Sequence, residues 1–185
     1  PMFKSNNHVV DFTLQKNSDF ETQNKDWNHT ARLTSGRRLK PNLPNVEDAN
    51  GFQVFDYQSG QSSYTLGSGI RFGWLWKRSA GLDVVTYTGN NVQPGVIPHS
   101  LGKVPEMMWL MNRAGGDREV YHKGLNEGSS PETWSIKINE SDAAINISRW
   151  YSTVPTSTHF TVTKNSFNVN GDKYIAILFA SVDGI

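Results

Sequence analysis

The stretch that decides the fold is Gly81-Leu-Asp-Val-Val-Thr-Tyr-Thr-Gly-Asn-Asn91. β-Branched and aromatic residues fill its centre, while glycine and asparagine, which tolerate positive φ, stand at its ends. The pattern predicts one strand over residues 82–88. A dense apolar run precedes it at residues 70–76, and a similar run lies at residues 174–179.

These two apolar runs align with one another. Phe72-Gly-Trp-Leu-Trp76 falls on Ile175-Ala-Ile-Leu-Phe179. The alignment predicts two related modules in tandem, one over residues 1–80 and one over residues 81–185. The first module lacks the opening strand that residues 82–88 give to the second, so we expect it to depend on its neighbour for folding. Arrays of β-modules are more typical of structural and binding proteins than of enzymes.

The composition favours strands over helices. The 185 residues include six Trp, six Tyr, nine Phe and 16 Gly, and short apolar segments alternate with turns rich in Gly, Asn and Pro. This pattern predicts an all-β protein, an antiparallel β-sandwich of jelly-roll-like type. The following list gives the main predicted strands by residue number: 8–14, 27–33, 52–57, 82–88, 107–111, 119–122, 133–138, 145–151, 159–163 and 174–179. Residues 15–19 and 58–63 are predicted as loops.

Charge and cysteine content exclude several classes of function. The net charge of +1 gives no basic field that would favour nucleic acid as a partner. No apolar run approaches the roughly 20 residues that span a bilayer, so we expect no membrane insertion. The absence of cysteine excludes disulfides, thiolate metal sites and a cysteine nucleophile.

Catalytic and metal-binding signatures are also missing. The sequence contains no nucleophile elbow, P-loop, dinucleotide fingerprint or zincin motif, and its five histidines are not at ligand spacing. Glu140 and Asp142 form a mild acidic cluster, as do Glu47 and Asp48. A glycosidase needs two carboxylates that face each other across a groove, whereas these lie in polar loops. We therefore expect no catalytic residues, no metal and no cofactor.

Aromatic residues supply the candidate ligand-binding site: Trp134, Arg149, Trp150 and Tyr151. In an extended chain Trp150 and Tyr151 point in opposite directions, so we expect one of them to be exposed. Trp134 alternates with Ile136 and Ile138, which favours the core for its side chain.

The pair Trp74 and Trp76 shares one strand face. Its apolar neighbours favour core filling over an exposed platform for sugars.

The C-terminal module resembles a module found in large virion proteins of tailed phages, particularly those of marine and cyanobacterial hosts. The phrases that carry the resemblance are GLDVVTYTGN (81–90), IPHSLGKVPEMMWLMNR (97–113), VYHKGL (120–125), PTSTHFTV (155–162) and NGDKYIAILFASVDG (170–184). Residues 1–80 resemble the module that usually precedes it, through GFQVFDYQSG (51–60) and FGWLWKRS (72–79).

The resemblance implies a non-enzymatic structural part of a phage particle, located in the virion. A tail fibre or adhesin segment that contacts a host-surface glycan or receptor is the main expectation. Its partners would be other virion proteins, and such fibres are commonly trimeric. Two alternatives stay open: a purely architectural component, such as a capsid decoration or tail-assembly part, and a tailspike depolymerase of glycans. An adhesin predicts Trp150 or Tyr151 exposed in a groove, whereas an architectural part predicts both buried between chains.

Overall fold

The computed structural model describes residues 3–4, 8–17, 26–48, 53–55, 60–63, 71–79 and 81–183. Its strands pair antiparallel throughout, and they confirm the predicted all-β antiparallel sandwich. No helix among these residues is both long enough and apolar enough to cross a membrane.

The N-terminal strands form two sheets. They are β1 (Phe3–Lys4), β2 (Phe12–Asn17), β3 (Trp27–Ala31), β4 (Arg38–Leu39), β5 (Gln53–Phe55), β6 (Gly60–Ser63) and β7 (Arg71–Trp76). Strands β4, β3, β2 and β7, in that spatial order, make a four-stranded sheet. The other three are ordered β1, β6, β5.

The C-terminal strands also form two sheets. They are β8 (Leu82–Thr88), β9 (Gly95–Pro98), β10 (Met107–Asn112), β11 (Arg118–His122), β12 (Trp134–Lys137), β13 (Ile145–Asn146), β14 (His159–Val162) and β15 (Lys173–Phe179). The larger sheet has the order β13, β12, β11, β10, β15, β8, and β14 pairs with β9 in the smaller one. The helical segments are Arg32–Thr34, Leu125–Gly128 and Pro131–Thr133, which are 3-10 turns, and the short helix α1 (Lys164–Phe167).

Both faces of the six-stranded sheet are covered at its central strands, β10 and β15. Side chains alternate across a strand, so Leu110 and Ala176 point to one face while Met111 and Ile177 point to the other. The first face packs on the β9–β14 pair through Ile97, Phe160 and Val162.

The second face packs on the four-stranded N-terminal sheet. Phe12, Ala31 and Leu39 share one apolar cluster with Leu82 and Val84 of β8. Burying a residue such as Phe12 contributes about 1.5–3 kcal/mol. The N-terminal sheet, the six-stranded sheet and the β9–β14 pair therefore stack as three layers, and the division into two tandem modules stays a prediction.

The two aligned apolar runs occupy different positions in their sheets. Among the described strands β7 pairs with β2 alone and so lies at a sheet edge, whereas β15 lies between β10 and β8. In the alignment Trp74 corresponds to Ile177. Trp74 is 47% exposed and Ile177 is fully buried, because only β15 is covered on both faces.

Several predicted segments differ from the structure, including the strands predicted at 8–14 and 27–33, which begin later and end earlier, respectively. β2 continues to Asn17, so the loop predicted at residues 15–19 begins too early. The turn predicted at 58–63 contains strand β6, although residues 58–59 lie outside the described part of the chain. The strand predicted at 145–151 is only two residues long, because the chain turns at Arg149–Thr153, where the Thr153 N–H donates to the carbonyl of Trp150.

A polar clamp fastens the segment that follows β4 to the hairpin between β10 and β11. The guanidinium of Arg118, fully buried, donates to the carbonyls of Leu43 (3.1 Å), Asn112 (2.9 Å) and Asn45. Burial lowers the pKa of Arg118 to about 10, and the group stays charged at neutral pH. Arg113 adds a two-pronged ion pair to Glu47, with both N–O distances 2.8 Å.

Candidate ligand-binding surface

The predicted site residues Trp134, Arg149 and Trp150 do lie together, but Trp150 belongs to the core. It is 1% exposed and its indole packs edge-on against Tyr121, with ring centroids 5.9 Å apart. Its Nε1–H donates to the carbonyl of Trp134 at 3.0 Å. The prediction of Trp150 as a surface contact is therefore wrong: its polar edge is satisfied inside the fold and no face is open to a ligand.

Arg149 serves an internal ion pair. Its Nε donates to Glu119 Oε1 at 3.0 Å, and its Nη1 donates to the hydroxyl of Ser166 at 2.9 Å. Glu119 is buried and also accepts from the hydroxyl of Ser135. The positive charge of Arg149 neutralises the buried carboxylate of Glu119. If Arg149 turned towards a ligand, that carboxylate would be left buried without its partner, at a large cost in free energy.

Trp134 is half-buried on the sheet face that also carries Ile136 and Ile138. Ile138 packs against the cluster between the two large sheets. The predicted alternation of this strand is confirmed, and part of the Trp134 ring stays accessible.

Tyr151 is the exposed member of the Trp150–Tyr151 pair, as expected, with 38% of its surface accessible. The reason differs from the predicted one, because Tyr151 lies in a turn and not in a strand. Its φ is 52° and that of Ser152 is 47°, the left-handed region that bulky residues rarely adopt. Such strain, held on an exposed aromatic residue, is a feature of functional sites.

A larger aromatic surface lies on β7, where sequence reasoning predicted core. Phe72, Trp74 and Trp76 alternate along one face of this edge strand, and we refer to these three residues as the aromatic strip. Phe72 is 56% exposed, Trp74 is 47% exposed and Trp76 is half-buried. Exposure rises along the strip from Trp76 to Phe72. Trp76 packs on Phe12 in the core, whereas Phe72 pairs across the sheet with Lys16, at the far end of β2.

Trp27 widens the strip. It stands on β3, separated from β7 by β2, which places the two backbones about 10 Å apart. The rings of Trp27 and Trp74 nevertheless approach to 5.4 Å between centroids, so the two indoles lean towards each other over β2. The Lys16 ammonium lies 5.0 Å from the Trp27 ring, a cation–π contact that fixes one side of this pair.

An open cleft continues the strip at its buried end. Its volume is about 520 Å³, and Trp76, Phe179 and Leu82 supply apolar walls while Lys77 and His8 supply polar ones. The cleft lies where the N-terminal sheet meets the six-stranded sheet, and junctions of this kind are common ligand sites. The strip and the cleft together offer flat aromatic faces at intervals of about 6.6 Å along one strand.

Sequence reasoning missed the aromatic strip because it took an apolar run to be a buried one. One signal was available: three aromatic residues at positions i, i+2 and i+4 crowd one face, while the opposite face carries the smaller residues Gly73 and Leu75 between them. What the sequence did not reveal is that β7 lies at a sheet edge and extends beyond the layer beneath it.

Two titratable groups, Asp83 and His99, form hydrogen bonds within the fold. Burial raises the pKa of Asp83, but hydrogen bonds from Arg78 (2.8 Å) and from the backbone and hydroxyl of Ser100 (2.7 and 3.0 Å) outweigh burial and hold that pKa below its usual value. His99 has a pKa lowered by burial, and both its ring nitrogens lie within hydrogen-bond distance of backbone groups.

The carboxylates proposed for the depolymerase alternative, Glu140 and Asp142, are both exposed. Among the described residues, no three His, Asp or Glu side chains cluster as metal ligands would.

The fold and the surface define an all-β sandwich protein with an exposed aromatic strip. By sequence, the chain belongs to the family described as a domain of unknown function (DUF7483), whose family model matches residues 48–185. The matched region contains β7 and every strand of the C-terminal sheets. No curated protein and no solved structure matches the chain significantly.

Proposed function

We propose that this chain is a non-enzymatic binding module of a bacteriophage virion, a tail-fibre or adhesin segment that contacts glycans on the host surface. The virion setting rests on the resemblance of residues 81–185 to phage virion modules. The observation that carries the binding role is the aromatic strip, with Trp74 47% exposed beside Trp27.

The chemistry of the strip suits sugars. Indole and phenyl faces are flat and apolar, and the C–H faces of a pyranose ring pack against such surfaces while its hydroxyls stay in water. Exposed aromatic residues of this size are also unusual enough on a protein surface to mark an interaction site. A rigid sheet holds them, so little conformational entropy is lost when a ligand binds.

A binding role fits the polar groups better than catalysis does. Glycosidases rely on a carboxylic acid whose pKa is raised beside a second carboxylate. Here Asp83, Glu119 and Glu47 each form an ion pair with an arginine, and hydrogen bonds hold the pKa of Asp83 below its usual value. The proposal therefore assigns the chain recognition alone, with affinity multiplied by copy number on the particle.

A glycan array carrying bacterial O-antigen and capsular polysaccharides tests this function. The wild-type chain is expected to bind a subset of these glycans, and Trp74→Ala is expected to weaken that binding by about tenfold or more, the loss typical of an aromatic hot spot. Val96→Ala is the matched control, because Val96 is likewise an exposed apolar residue (56% accessible) but lies on β9, away from the strip.

Three results would contradict the proposal. Equal glycan binding by Trp74→Ala and Val96→Ala would show that the aromatic strip is not part of the binding site. Release of new reducing ends from a bound glycan, abolished by Glu140→Gln or Asp142→Asn, would favour the depolymerase. Absence of glycan binding, together with loss of assembly into virions in Trp74→Ala, would favour the purely architectural role.

A further inference from the structure

A second open cleft lies at the opposite end of β15 from the cleft at Trp76, and we refer to it as the basic cleft. The segments that form it are 33–37, 46–47, 113–114 and 171–173. Its volume is about 580 Å³, which is within the range of small-molecule sites. Lys173 and Phe179, at the two ends of β15, are about 20 Å apart along the strand. Among the described residues, the two clefts have no lining residue in common.

Both carboxylates that line the basic cleft already have donors. Glu47 accepts from Nε and Nη2 of Arg113, each at 2.8 Å, and its own N–H donates to the carbonyl of Arg113 at 2.8 Å. Asp172 Oδ2 accepts from Nδ2 of Asn112 at 2.8 Å. The Arg113–Glu47 pair is mostly buried and its two charges neutralise each other, so it forms a fixed and neutral part of the wall.

Two further cations line the basic cleft, and both are exposed. Arg37 follows the Arg32–Thr34 turn, and Lys173 is the first residue of β15. Neither side chain forms a hydrogen bond or an ion pair with any residue that the structure describes. A cleft lined by uncompensated charge of one sign concentrates ions of the opposite sign. Guanidinium and ammonium groups bind carboxylates through charge-assisted hydrogen bonds, which are about twice as strong as neutral ones.

Exposed apolar side chains accompany these cations. Leu33 is 43% exposed, Val46 is 64% exposed, and both line the basic cleft. An inorganic anion is hydrated on all sides and would leave these two side chains in water. A ligand that carries an apolar face next to its anionic group would cover them, and burial of that apolar area would add to the affinity.

We propose that the basic cleft is a binding site for a carboxylate-bearing sugar. Arg37 and Lys173 donate to the carboxylate, while Leu33 and Val46 pack against the C–H groups of the ring. The Arg113–Glu47 pair stays intact and holds the wall in place. This site goes beyond the glycan recognition proposed for the aromatic strip and does not depend on it.

The test is a titration of the full chain, labelled with ¹⁵N, followed through its backbone amide signals. The probes are glucuronate and galacturonate, and the neutral counterparts with the same rings are glucose and galactose. At least one acidic sugar is expected to give saturable shifts at residues 33–37 and 171–173, whereas neither neutral sugar is expected to do so. Arg37→Gln and Lys173→Gln are each expected to raise the dissociation constant by about fivefold or more, through loss of a charge-assisted hydrogen bond.

Lys164→Gln is the matched control, because Lys164 is an exposed lysine that does not line the basic cleft. It is expected to bind as the wild type does, and the amide spectrum of each variant verifies that it is folded. Inorganic phosphate separates a sugar-acid site from a general anion site. It has no apolar face, so it is expected to bind more weakly than the acidic sugar.

Three outcomes would overturn the proposal: no saturable shift with either acidic sugar, phosphate binding as tight as that of the better acidic sugar, or equal affinities in the three glutamine variants. None of these outcomes depends on the glycan array, so failure of the basic cleft and failure of the aromatic strip are distinguishable.

Discussion

At the scale of single residues, His29 shows how a buried polar group sets the acid stability of the fold. Its Nε2 lies 3.1 Å from Met111 Sδ, and its Nδ1 finds no hydrogen-bond partner among the described residues. Burial, with a smaller contribution from the charge of Arg118, lowers the pKa of His29 to about 3. The imidazole is therefore neutral in the folded protein at any pH above about 3.

His29→Leu is expected to make the free energy of unfolding less dependent on pH in the acid range, between pH 6.5 and about 3. Between pH 6.5 and about 3 the unfolded chain binds a proton at His29 that the folded chain does not, so stability falls as pH falls, by up to about 1.4 kcal/mol per pH unit. The leucine variant lacks this proton uptake, and its stability at pH 7 is expected to stay within about 1.5 kcal/mol of the wild type. Urea unfolding at a series of pH values measures both; an unchanged slope would contradict the assignment.

Arg118 is a second residue with a single clear role. Arg118→Met is expected to lower the free energy of unfolding by about 2–4 kcal/mol, because the carbonyls of Leu43, Asn45 and Asn112 lose the donor that the buried guanidinium supplies. Arg37→Met, at an exposed position, is the control and is expected to change stability by less than about 0.5 kcal/mol. Similar urea midpoints for the two variants would show that the clamp is dispensable.

At the scale of elements, the end of β8 depends on close contact with the turn before β15. A Cβ added to Gly89 would lie 2.0 Å from the carbonyl oxygen of Val169, which is backbone and cannot move aside. Gly89→Ala is therefore expected to cost about 3 kcal/mol or more. At Gly102 a Cβ meets nothing within 4 Å and only the positive φ of 73° opposes it, so Gly102→Ala is expected to cost about 1 kcal/mol.

Thermal unfolding of the two alanine variants compares these costs. Equal transition temperatures for Gly89→Ala and Gly102→Ala would mean that the turn yields and that the contact is not a constraint.

Strands with a strong local pattern could be predicted from the sequence, and those set by their neighbours could not. β8 and β10 were predicted nearly to the residue, because uninterrupted β-branched or apolar runs leave few alternatives. Trp74 was predicted in the core but is 47% exposed, and the sequence did not decide which of Trp150 and Tyr151 would be the buried one. Their burial depends on which layer covers which strand and on where a turn falls, and neither is encoded within a few residues of the tryptophan.

At the scale of the whole molecule, the N-terminal sheet and the six-stranded sheet share one core. Residues 1–80 produced alone are expected to remain unfolded, because Phe12, Ala31 and Leu39 lose the side chains of Leu82 and Val84 that bury them. The full chain is the control. Circular dichroism and the dispersion of amide signals in NMR measure the outcome, and a cooperative thermal transition of the isolated segment would contradict the expectation.

We propose the aromatic strip as the glycan-binding surface, and the six tryptophan indole N–H signals report directly on whether a glycan contacts it. The measurement is a titration of the chain, labelled with ¹⁵N, with fragments of the capsular or O-antigen polysaccharide that binds best on the array, each signal being assigned by a Trp→Phe variant. We expect the Trp27, Trp74 and Trp76 signals to shift with ligand while that of the buried Trp150 does not. Shifts confined to Trp134, with the strip unchanged, would contradict it.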